Sequence, residues 1–394
     1  MNILMVWELG AGLGHTIPLA AIGKHFVEKG HNVSYALRNP KTAEIAGISP
    51  DIVYSAPVMS PMEPNGPAAY DCADMLLIRG YGLPKRINNK LKEWANIFDK
   101  VSPDVIITDH APTARLAAHI AGIPSHAIGN GFAIPPLSSP LQSFGPQSKA
   151  HAARQQQAER GLNNITNRLL RDRGVAEVER AVDLYFGGST FLITFEELDN
   201  YSGRTGAKYY GPPYSGTIVP APCWPLATSK KVFVYLYPDA PALPKIIKSL
   251  DRLGVSTLVY TGSKPRSAEL ESSSSKRIQF TDQSLSLFEH KVQCDLVVCQ
   301  GGSNTMVTAL LQGMPLLTFP QHIEQHMSCR ELKSQGLAEV LNKKSEQNEI
   351  DRVVQQCLDN KTLHQQAVKF ADKYESFDGQ QVPKIIVEEV LNMM

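Results

Sequence analysis

The chain has 394 residues and a formal net charge of +1 at pH 7. That length suggests two domains, and the low charge argues against a nucleic-acid partner or broad attraction to anionic membranes. No apolar stretch reaches the roughly 20 residues that span a bilayer, so we expect no integral membrane association. None of the six cysteines forms a CxxC pair, which is typical of free thiols in the reducing cytoplasm.

The first half of the chain alternates between predicted strands and helices. Residues 3–9, ILMVWEL, form an apolar run of strand length that one acid interrupts. Residues 17–29 then place apolar side chains on one helical face, with Thr16 as a candidate cap. Further strands are predicted at 31–37, 103–109, 125–130 and 190–198, with a polar helical pattern over 147–182. This alternation predicts a parallel sheet with helices on both faces.

The same scheme restarts after a proline-rich stretch at 211–229, which we interpret as a linker. The sequence therefore predicts an α/β protein with two doubly wound, Rossmann-like parallel-sheet domains at 1–210 and 230–375. A C-terminal helix at 376–394 is expected to pack back toward the first domain. Because ligands bind beyond the carboxyl ends of such strands, we expect the site in a cleft between two facing sheets.

The turn GAGLGH at 10–15 raises two alternatives. A dinucleotide fingerprint has its third glycine where this chain has His15, and the second strand ends in Arg38 rather than in an acid. An NADP-dependent oxidoreductase is therefore a weak alternative. The plain alternative is a tight turn whose His15 is solvated or caps the helix.

Asp109 ends a strand of the same sheet, at the edge where His15 emerges. A carboxylate that binds one imidazole nitrogen fixes the tautomer and leaves the other nitrogen to accept a proton. The pair is thus a candidate general base with its orienting acid. Considered alone, Asp109 is as readily an N-cap for the following helix.

Two stretches of the second half could hold a sugar donor. QGGSNT at 300–305 is a glycine-rich turn that opens a helix, and its backbone N–H groups and helix dipole suit a diphosphate. An ordinary strand-to-helix turn has the same composition. Glu324 and Gln325 are expected in a loop after the next strand, where they offer acceptors and donors for sugar hydroxyls.

The order of these motifs resembles a known family. GHxxP at 14–18, ITDHAPTARLAAHIAGIP at 107–124, YYGP at 209–212 and the run at 300–325 resemble the GT-B-fold nucleotide-sugar glycosyltransferases. The match is best with the family-1 type that includes UDP-glycosyltransferases and bacterial natural-product glycosyltransferases. The resemblance covers nearly the whole chain.

This resemblance implies an inverting hexosyltransferase in which His15 is the base and Asp109 its partner. A UDP- or dTDP-sugar would be the donor substrate, with no cofactor and, because no D-x-D pair occurs, no metal. The acceptor would be a hydroxyl of a small apolar or aromatic molecule bound by the first domain, and the protein a monomer or homodimer. The expected donor-binding residues are Gly12, Gly14, Gln300, Gly301, Gly302, Ser303, Asn304, Thr305, Glu324 and Gln325.

The chain departs from the family pattern at three positions. Gln300 stands where the family has a histidine, Thr308 where some members have a ribose-binding glutamate, and Phe280 is the aromatic nearest to the base-stacking tryptophan. These departures leave open a catalytically silent GT-B homologue that acts as an auxiliary or sugar-nucleotide-sensing protein, and a GT-B epimerase. The apolar stretch 56–82 and the loop 131–146 are expected to line the acceptor pocket; the alternative is that both are ordinary surface loops.

Overall fold

The computed structural model describes residues 1–60, 62, 68–146, 148–213, 224–225, 230–262, 266–273, 275–281, 294–342 and 344–394. The chain divides into two compact units. Unit 1 comprises Met1–Ser215 and Asp378–Met394, and unit 2 comprises Gly216–Phe377. Within the described ranges, no helix combines the length and apolar character needed to cross a membrane.

Unit 1 is built on six parallel strands. They are β1 (Asn2–Trp7), β2 (Asn32–Leu37), β3 (Val53–Ser55), β4 (Val105–Asp109), β5 (Ser125–Gly129) and β6 (Thr190–Leu192). Their spatial order is β3-β2-β1-β4-β5-β6. The central strands β1 and β4 are buried along nearly their whole length, as expected for a parallel sheet covered on both faces.

Helices connect these strands. They are α1 (Leu13–Glu28), α2 (Thr42–Ile45), α3 (Cys72–Leu76), α4 (Pro84–Val101), α5 (Pro112–Ala121), α6 (Lys149–Arg171) and α7 (Ala181–Phe186). A π-helical turn, Leu77–Tyr81, continues α3, and 3-10 turns span Pro50–Ile52 and Glu196–Leu198. α4 shows why such helices pack: it buries Ile87, Leu91, Trp94 and Phe98, which recur at the spacing of one helical face.

Unit 2 repeats the plan. Its strands are β7 (Lys231–Tyr235), β8 (Ser256–Tyr260), β9 (Ile278–Thr281), β10 (Leu296–Cys299), β11 (Leu316–Thr318) and β12 (Ala338–Val340). They lie parallel in the order β12-β11-β10-β7-β8-β9. The helices are α8 (Leu243–Leu253), α9 (Ala268–Glu271), α10 (Ser303–Leu311), α11 (Ile323–Ser334), α12 (Gln347–Asp359) and α13 (Lys361–Lys373).

The last helix, α14 (Gln381–Asn392), belongs to unit 1 and packs against α1. It buries Ile386, Val387 and Val390. Glu389 accepts hydrogen bonds from Lys208 and from the hydroxyl of Tyr210, both at 2.6 Å. Most of the predicted linker, 214–223 and 226–229, lies outside the described residues, and the predicted domain boundaries stay predictions.

In both units the strand order reverses beside the first strand. The reversal falls between β1 and β4 in unit 1 and between β7 and β10 in unit 2. A crevice opens at such a switch point because the connections on either side leave toward opposite faces of the sheet. The carboxyl ends of these four strands are therefore where a ligand site is expected in each unit.

Two stretches predicted to line the acceptor pocket are not ordinary surface loops, and their role in the pocket stays a prediction. Within 56–82 the structure has α3 and the π-helical turn, and Cys72, Leu76 and Tyr81 are buried. Asp71 starts α3 by accepting the backbone N–H of Asp74 at 2.8 Å; the helix is too short to show a period in the sequence. Residues 61 and 63–67 lie outside the described residues. Within 131–146, Phe132, Ile134, Leu141 and Phe144 are buried rather than exposed on a loop surface.

Three element boundaries also differ from the prediction. The strand expected at 190–198 ends at Leu192, and the helical pattern at 147–182 is broken between α6 and α7. Thr16 is not the cap of α1, because Gly12, with φ +88°, turns the chain early and the helix begins at Leu13. The hydroxyl of Thr16 instead lies 2.8 Å from that of Thr42.

Candidate active site

His15 and Asp109 meet at the switch point of unit 1. His15 lies in the first turn of α1, directly after β1, and Asp109 is the last residue of β4. Nδ1 of His15 is 2.9 Å from Oδ2 of Asp109, and their side chains are 17% and 3% exposed. The carboxylate therefore holds the imidazole through Nδ1, and Nε2 is the nitrogen that can accept a substrate proton.

The ring of His15 is held from two further sides. It stacks on the buried indole of Trp7, with centroids 5.1 Å apart and planes at 17°. Nε2 faces Gly10, where a Cβ atom would overlap this nitrogen. Gly10 also has φ +94°, a conformation that favours glycine. The turn thus requires glycine at position 10 both for its backbone and to leave room beside Nε2.

The remaining glycines of this turn shape the start of α1. Gly12 is its N-cap residue and Gly14 its second residue, and a Cβ atom at either would meet no atom within 4 Å. The space beside them is consistent with close approach of a ligand. Their predicted role in donor binding stays a prediction.

Asp109 does not cap α5, because the N-cap residue of that helix is Ala111. The carboxylate of Glu8 supplies that function from the end of β1. It accepts the backbone N–H of Thr113 at 3.0 Å and of Ala114 at 2.6 Å. Burial raises the pKa of Glu8 to about 7, although these two N–H donors lower it. Glu8 thereby fastens the start of α5 to the strand that precedes His15.

His110 follows Asp109 in the left-handed region, with φ 44°. Its backbone carbonyl accepts the N–H of Leu9 at 3.0 Å, which joins the loops that carry the two site residues. Burial, together with the smaller effects of the charges of His15, Arg79 and Arg38, lowers the pKa of His110 to about 3. His110 is therefore neutral, and positive charge concentrates around it.

In unit 2, the predicted diphosphate turn joins β10 to α10. Gly301 has φ +84°, and a Cβ atom there would lie 2.5 Å from Sγ of Cys329 and 3.5 Å from Cβ of Gln325. Gly302 is the N-cap residue of α10, and a Cβ atom there would meet nothing within 4 Å. Ser303, Asn304 and Thr305 form the first turn, so their backbone N–H groups have no partner within the helix. This arrangement suits an anion.

Glu324 and Gln325 lie in the first turn of α11, not in the loop that the sequence predicted. α11 begins at Ile323, before this pair, because His322 takes an extended N-cap conformation and Oε1 of Gln325 accepts the backbone N–H of Gln321 at 2.8 Å. Gln325 lies against Gly301, so the structure brings the predicted sugar-binding pair beside the predicted diphosphate turn.

The three departures from the family pattern have distinct surroundings. Gln300 is half-buried at the end of β10. The hydroxyl of Thr308 donates to the carbonyl of Asn304 at 2.7 Å, within α10. Phe280, on the edge strand β9, carries the guanidinium of Arg266 at 5.2 Å from its ring centroid.

Among the described residues, no group of three or more His, Cys, Asp or Glu side chains could hold a metal ion. The predicted metal independence stays a prediction.

Sequence reasoning considered Gly10 only as part of a dinucleotide fingerprint or a tight turn, and it assigned no role to Glu8, Trp7 or Cys329. For Glu8 there was a signal, because it is the acid that interrupts an otherwise apolar strand. Trp7 and Gly10 act through their contacts with the ring of His15, and Cys329 through its contact with Gly301; no local sequence pattern reveals these contacts.

No family model matches the chain. An uncharacterized glycosyltransferase of Methanosarcina mazei is 20% identical over 98% of this chain and 98% of its own length. A PGL/p-HBAD biosynthesis glycosyltransferase of Mycobacterium tuberculosis is 22% identical over 71% of this chain and 68% of its own. Among solved structures, the spinosyn rhamnosyltransferase SpnG complexed with thymidine diphosphate is 19% identical and matches with a TM-score of 0.68, covering 98% of this chain and 100% of SpnG.

These likenesses extend over both units. The two six-stranded parallel sheets with their helices constitute the GT-B fold, which confirms the predicted fold class. The relatives and structural neighbours are glycosyltransferases, so the predicted resemblance and the predicted enzyme class, glycosyltransferase, are confirmed.

Proposed function

We propose that the protein is an inverting glycosyltransferase that moves a sugar from a nucleoside diphosphate sugar to a hydroxyl of a small apolar or aromatic acceptor. The observation that carries this proposal is the 2.9 Å contact between Nδ1 of His15 and Asp109 at the switch point of unit 1. It is the arrangement that a general base needs, since one nitrogen is held by a carboxylate and the other faces a glycine.

In this mechanism Nε2 of His15 accepts the proton of the acceptor hydroxyl. The acceptor oxygen forms a bond to the anomeric carbon while the bond from that carbon to the diphosphate oxygen breaks. The bonding electron pair leaves with the nucleoside diphosphate, and a single displacement inverts the anomeric configuration. Asp109 stabilises the imidazolium that forms, and its contact with Nδ1 fixes the productive tautomer.

The diphosphate turn of unit 2 would stabilise the leaving group. The backbone N–H groups of Ser303, Asn304 and Thr305 open α10, and the positive end of the helix dipole favours the charge that develops there. Glu324 and Gln325, beside this turn, would bind the sugar hydroxyls. A dTDP-sugar is the first donor to test, because SpnG is a rhamnosyltransferase with a thymidine diphosphate complex; a UDP-sugar is the second.

The test is donor-dependent transfer by the full chain. Wild-type protein is mixed with a panel of dTDP- and UDP-sugars and phenolic acceptors, and release of nucleoside diphosphate is measured with and without acceptor. His15→Ala should lower the transfer rate by about 100-fold or more, since general-base catalysis is typically worth 10²–10⁴-fold. Asp109→Ala should lose less, because Asp109 orients the base and does not itself accept the proton.

A matched control is His25→Ala. His25 lies on the same helix α1, where its Nδ1 contacts Glu28 at 2.8 Å, outside the site. This variant should transfer sugar at the wild-type rate. Wild-type turnover by His15→Ala would refute the assignment of the base.

A second candidate is a catalytically silent homologue that senses nucleotide sugars. Gln300 and Thr308 favour it, because neither can carry the charge of the family residue at its position. Such a protein would bind thymidine or uridine diphosphate without accelerating transfer to any acceptor in the panel. A monomeric or homodimeric state stays a prediction.

A further inference from the structure

Two guanidinium groups near the candidate base have no acidic partner among the residues that the structure describes. Arg38 follows β2; its backbone N–H donates to the carbonyl of Trp7 at 2.9 Å, and its Nη1 donates to the carbonyl of Glu8 at 3.0 Å. Arg79 is half-buried in the π-helical turn Leu77–Tyr81. In the described part of the chain, the Arg79 side chain makes no hydrogen bond or ion pair, and Arg38 makes no ion pair.

Both arginines belong to the neighbourhood of His15 and Asp109. Arg38 is anchored to Trp7 and Glu8, which directly precede the turn that carries His15. The turn that holds Arg79 ends at Tyr81, whose hydroxyl lies 2.5 Å from that of Thr113 at the start of α5. Burial is the main cause that lowers the pKa of His110 and of Arg79; the charges of both arginines also lower the pKa of His110, and the charge of Arg38 also lowers that of Arg79.

Among the described residues, the two carboxylates named at this edge of the sheet, Glu8 and Asp109, already have partners. Glu8 accepts the backbone N–H groups of Thr113 and Ala114, and Asp109 holds His15. Two like charges beside a half-buried site raise the free energy of the unliganded protein. Such unfavourable placement is typical of residues that serve a ligand rather than the fold. The planar fork of a guanidinium binds a carboxylate through two parallel hydrogen bonds, and two guanidinium groups can hold one carboxylate together.

Building on the proposed transferase function, we propose that Arg38 and Arg79 bind a carboxylate of the acceptor, so that the substrate class is a hydroxylated aromatic or apolar carboxylic acid. The arginines fix the acid end of the molecule while His15 receives the proton of its hydroxyl. This narrows the acceptor predicted from sequence, which was defined only as small and apolar or aromatic.

Binding of matched probes to the full chain tests this proposal without any donor. The probes are hydroxynaphthoic acids with different ring positions of the hydroxyl and carboxyl groups, each paired with its methyl ester, followed by their own fluorescence. At least one acid should bind wild-type protein about 10-fold more tightly than its ester. Arg79→Met, which keeps the apolar stem and removes the charge, should abolish this difference, and Arg38→Met should reduce it.

The matched control is Arg168→Met. Arg168 lies on α6 with a side chain that is 67% exposed and only a 4.0 Å contact to Asp172, so this variant changes net charge equally and should retain the preference for the acid. Equal affinity for acid and ester in every pair, failure of every acid to bind, or persistence of the preference in Arg38→Met/Arg79→Met would overturn the proposal.

Two further measurements distinguish a carboxylate site from a structural role of the arginines and from a role in binding the donor. If the arginines repel each other, Arg79→Met should raise the midpoint of thermal unfolding of the unliganded protein by about 2 °C; a fall of that size would show a structural role and overturn the proposal. Thymidine diphosphate affinity should be unchanged in both variants, and a parallel loss would assign the arginines to the donor. An acid preference without detectable sugar transfer would instead contradict the proposed function and leave the carboxylate site standing.

Discussion

At the scale of single residues, the position that controls the candidate base is Gly10. Its φ of +94° and the absence of a Cβ atom together leave room for Nε2 of His15. Gly10→Ala would strain the backbone by about 1–2 kcal/mol and push the imidazole away from Asp109. We expect the transfer rate to fall about 100-fold or more, as for loss of the base itself, while affinity for thymidine diphosphate is retained.

Gly30→Ala is the control that separates the effect of backbone strain from the effect of displacing the imidazole of His15. Gly30 also has a positive φ, +85°, but a Cβ atom there would meet nothing within 4 Å, and it lies beyond the far end of α1. It should lose stability similarly and transfer sugar normally. If steady-state kinetics show equal turnover for Gly10→Ala and Gly30→Ala, the space beside Nε2 is not needed for catalysis.

The pairing of His15 with Asp109 was predictable because both residues end or follow strands of one parallel sheet, and the carboxyl ends of such strands share an edge. The roles of Glu8 and Arg79 were not. Each depends on a residue far away in the chain. Glu8 accepts the backbone N–H of Thr113, and the charge of Arg38 contributes to the lowered pKa of Arg79. Sequence spacing carries no information about such contacts.

At the scale of elements, the start of α10 holds two adjacent glycines with different requirements. A Cβ atom at Gly302 would meet no atom of the protein, so Gly302→Val should keep the unfolding midpoint of unit 2 within a few degrees. The valine side chain would instead occupy the approach to the helix N-terminus. We expect affinity for thymidine diphosphate, measured by calorimetry, to fall about 10-fold or more.

Gly301→Ala is the contrasting variant. Its Cβ atom would lie 2.5 Å from Sγ of Cys329, and the residue has φ +84°, so the expected result is a lower unfolding midpoint. Unchanged nucleotide affinity in folded Gly302→Val protein would remove the diphosphate assignment from this turn.

The regular elements were the part of the fold that the sequence predicted best. β1, β4 and β10 are short apolar runs that α1, α5 and α10 follow closely, and β7 is a further apolar run that precedes α8. Irregular helical pieces were missed for a physical reason. The five-residue α3 and the π-helical turn Leu77–Tyr81 are stabilised by burial and by the Asp71 cap, and neither is long enough to produce a helical repeat. The start of α11 was missed because its capping contact is between Gln321 and Gln325, both of which suit a loop equally well.

At the scale of the whole molecule, the two units share one strand order, and each presents a candidate site at the same point of its sheet. The proposed base His15 and its partner Asp109 lie in unit 1, and the proposed diphosphate turn lies in unit 2. Under the proposed function, this division would let each unit bind one of the two substrates. Variants in one unit should therefore affect one substrate, as the predictions for Gly10 and Gly302 state.

The pH dependence of the free energy of unfolding should also reveal the protonation state of Glu8. Its pKa rises from 4.5 to about 7 on folding, because burial disfavours the charged form. Between pH 4.5 and 7 the folded protein therefore holds a proton that the unfolded chain has released. The contribution of Glu8 to the free energy of unfolding is therefore fully present at low pH. It is lost as the pH rises from 4.5 to 7, by up to about 1.4 kcal/mol per pH unit.

Glu8→Gln has no proton to lose, so the difference in unfolding free energy between wild type and variant should shift by about 3 kcal/mol in favour of the variant from pH 4.5 to 8. The difference cancels the contribution of Asp71, whose pKa burial also raises, to about 6. Urea unfolding followed by the fluorescence of Trp7 and Trp94, both buried in unit 1, provides the measurement. Parallel curves for the two proteins across this range would mean that Glu8 is ionised in the folded state, held by the N–H groups of Thr113 and Ala114 despite its burial.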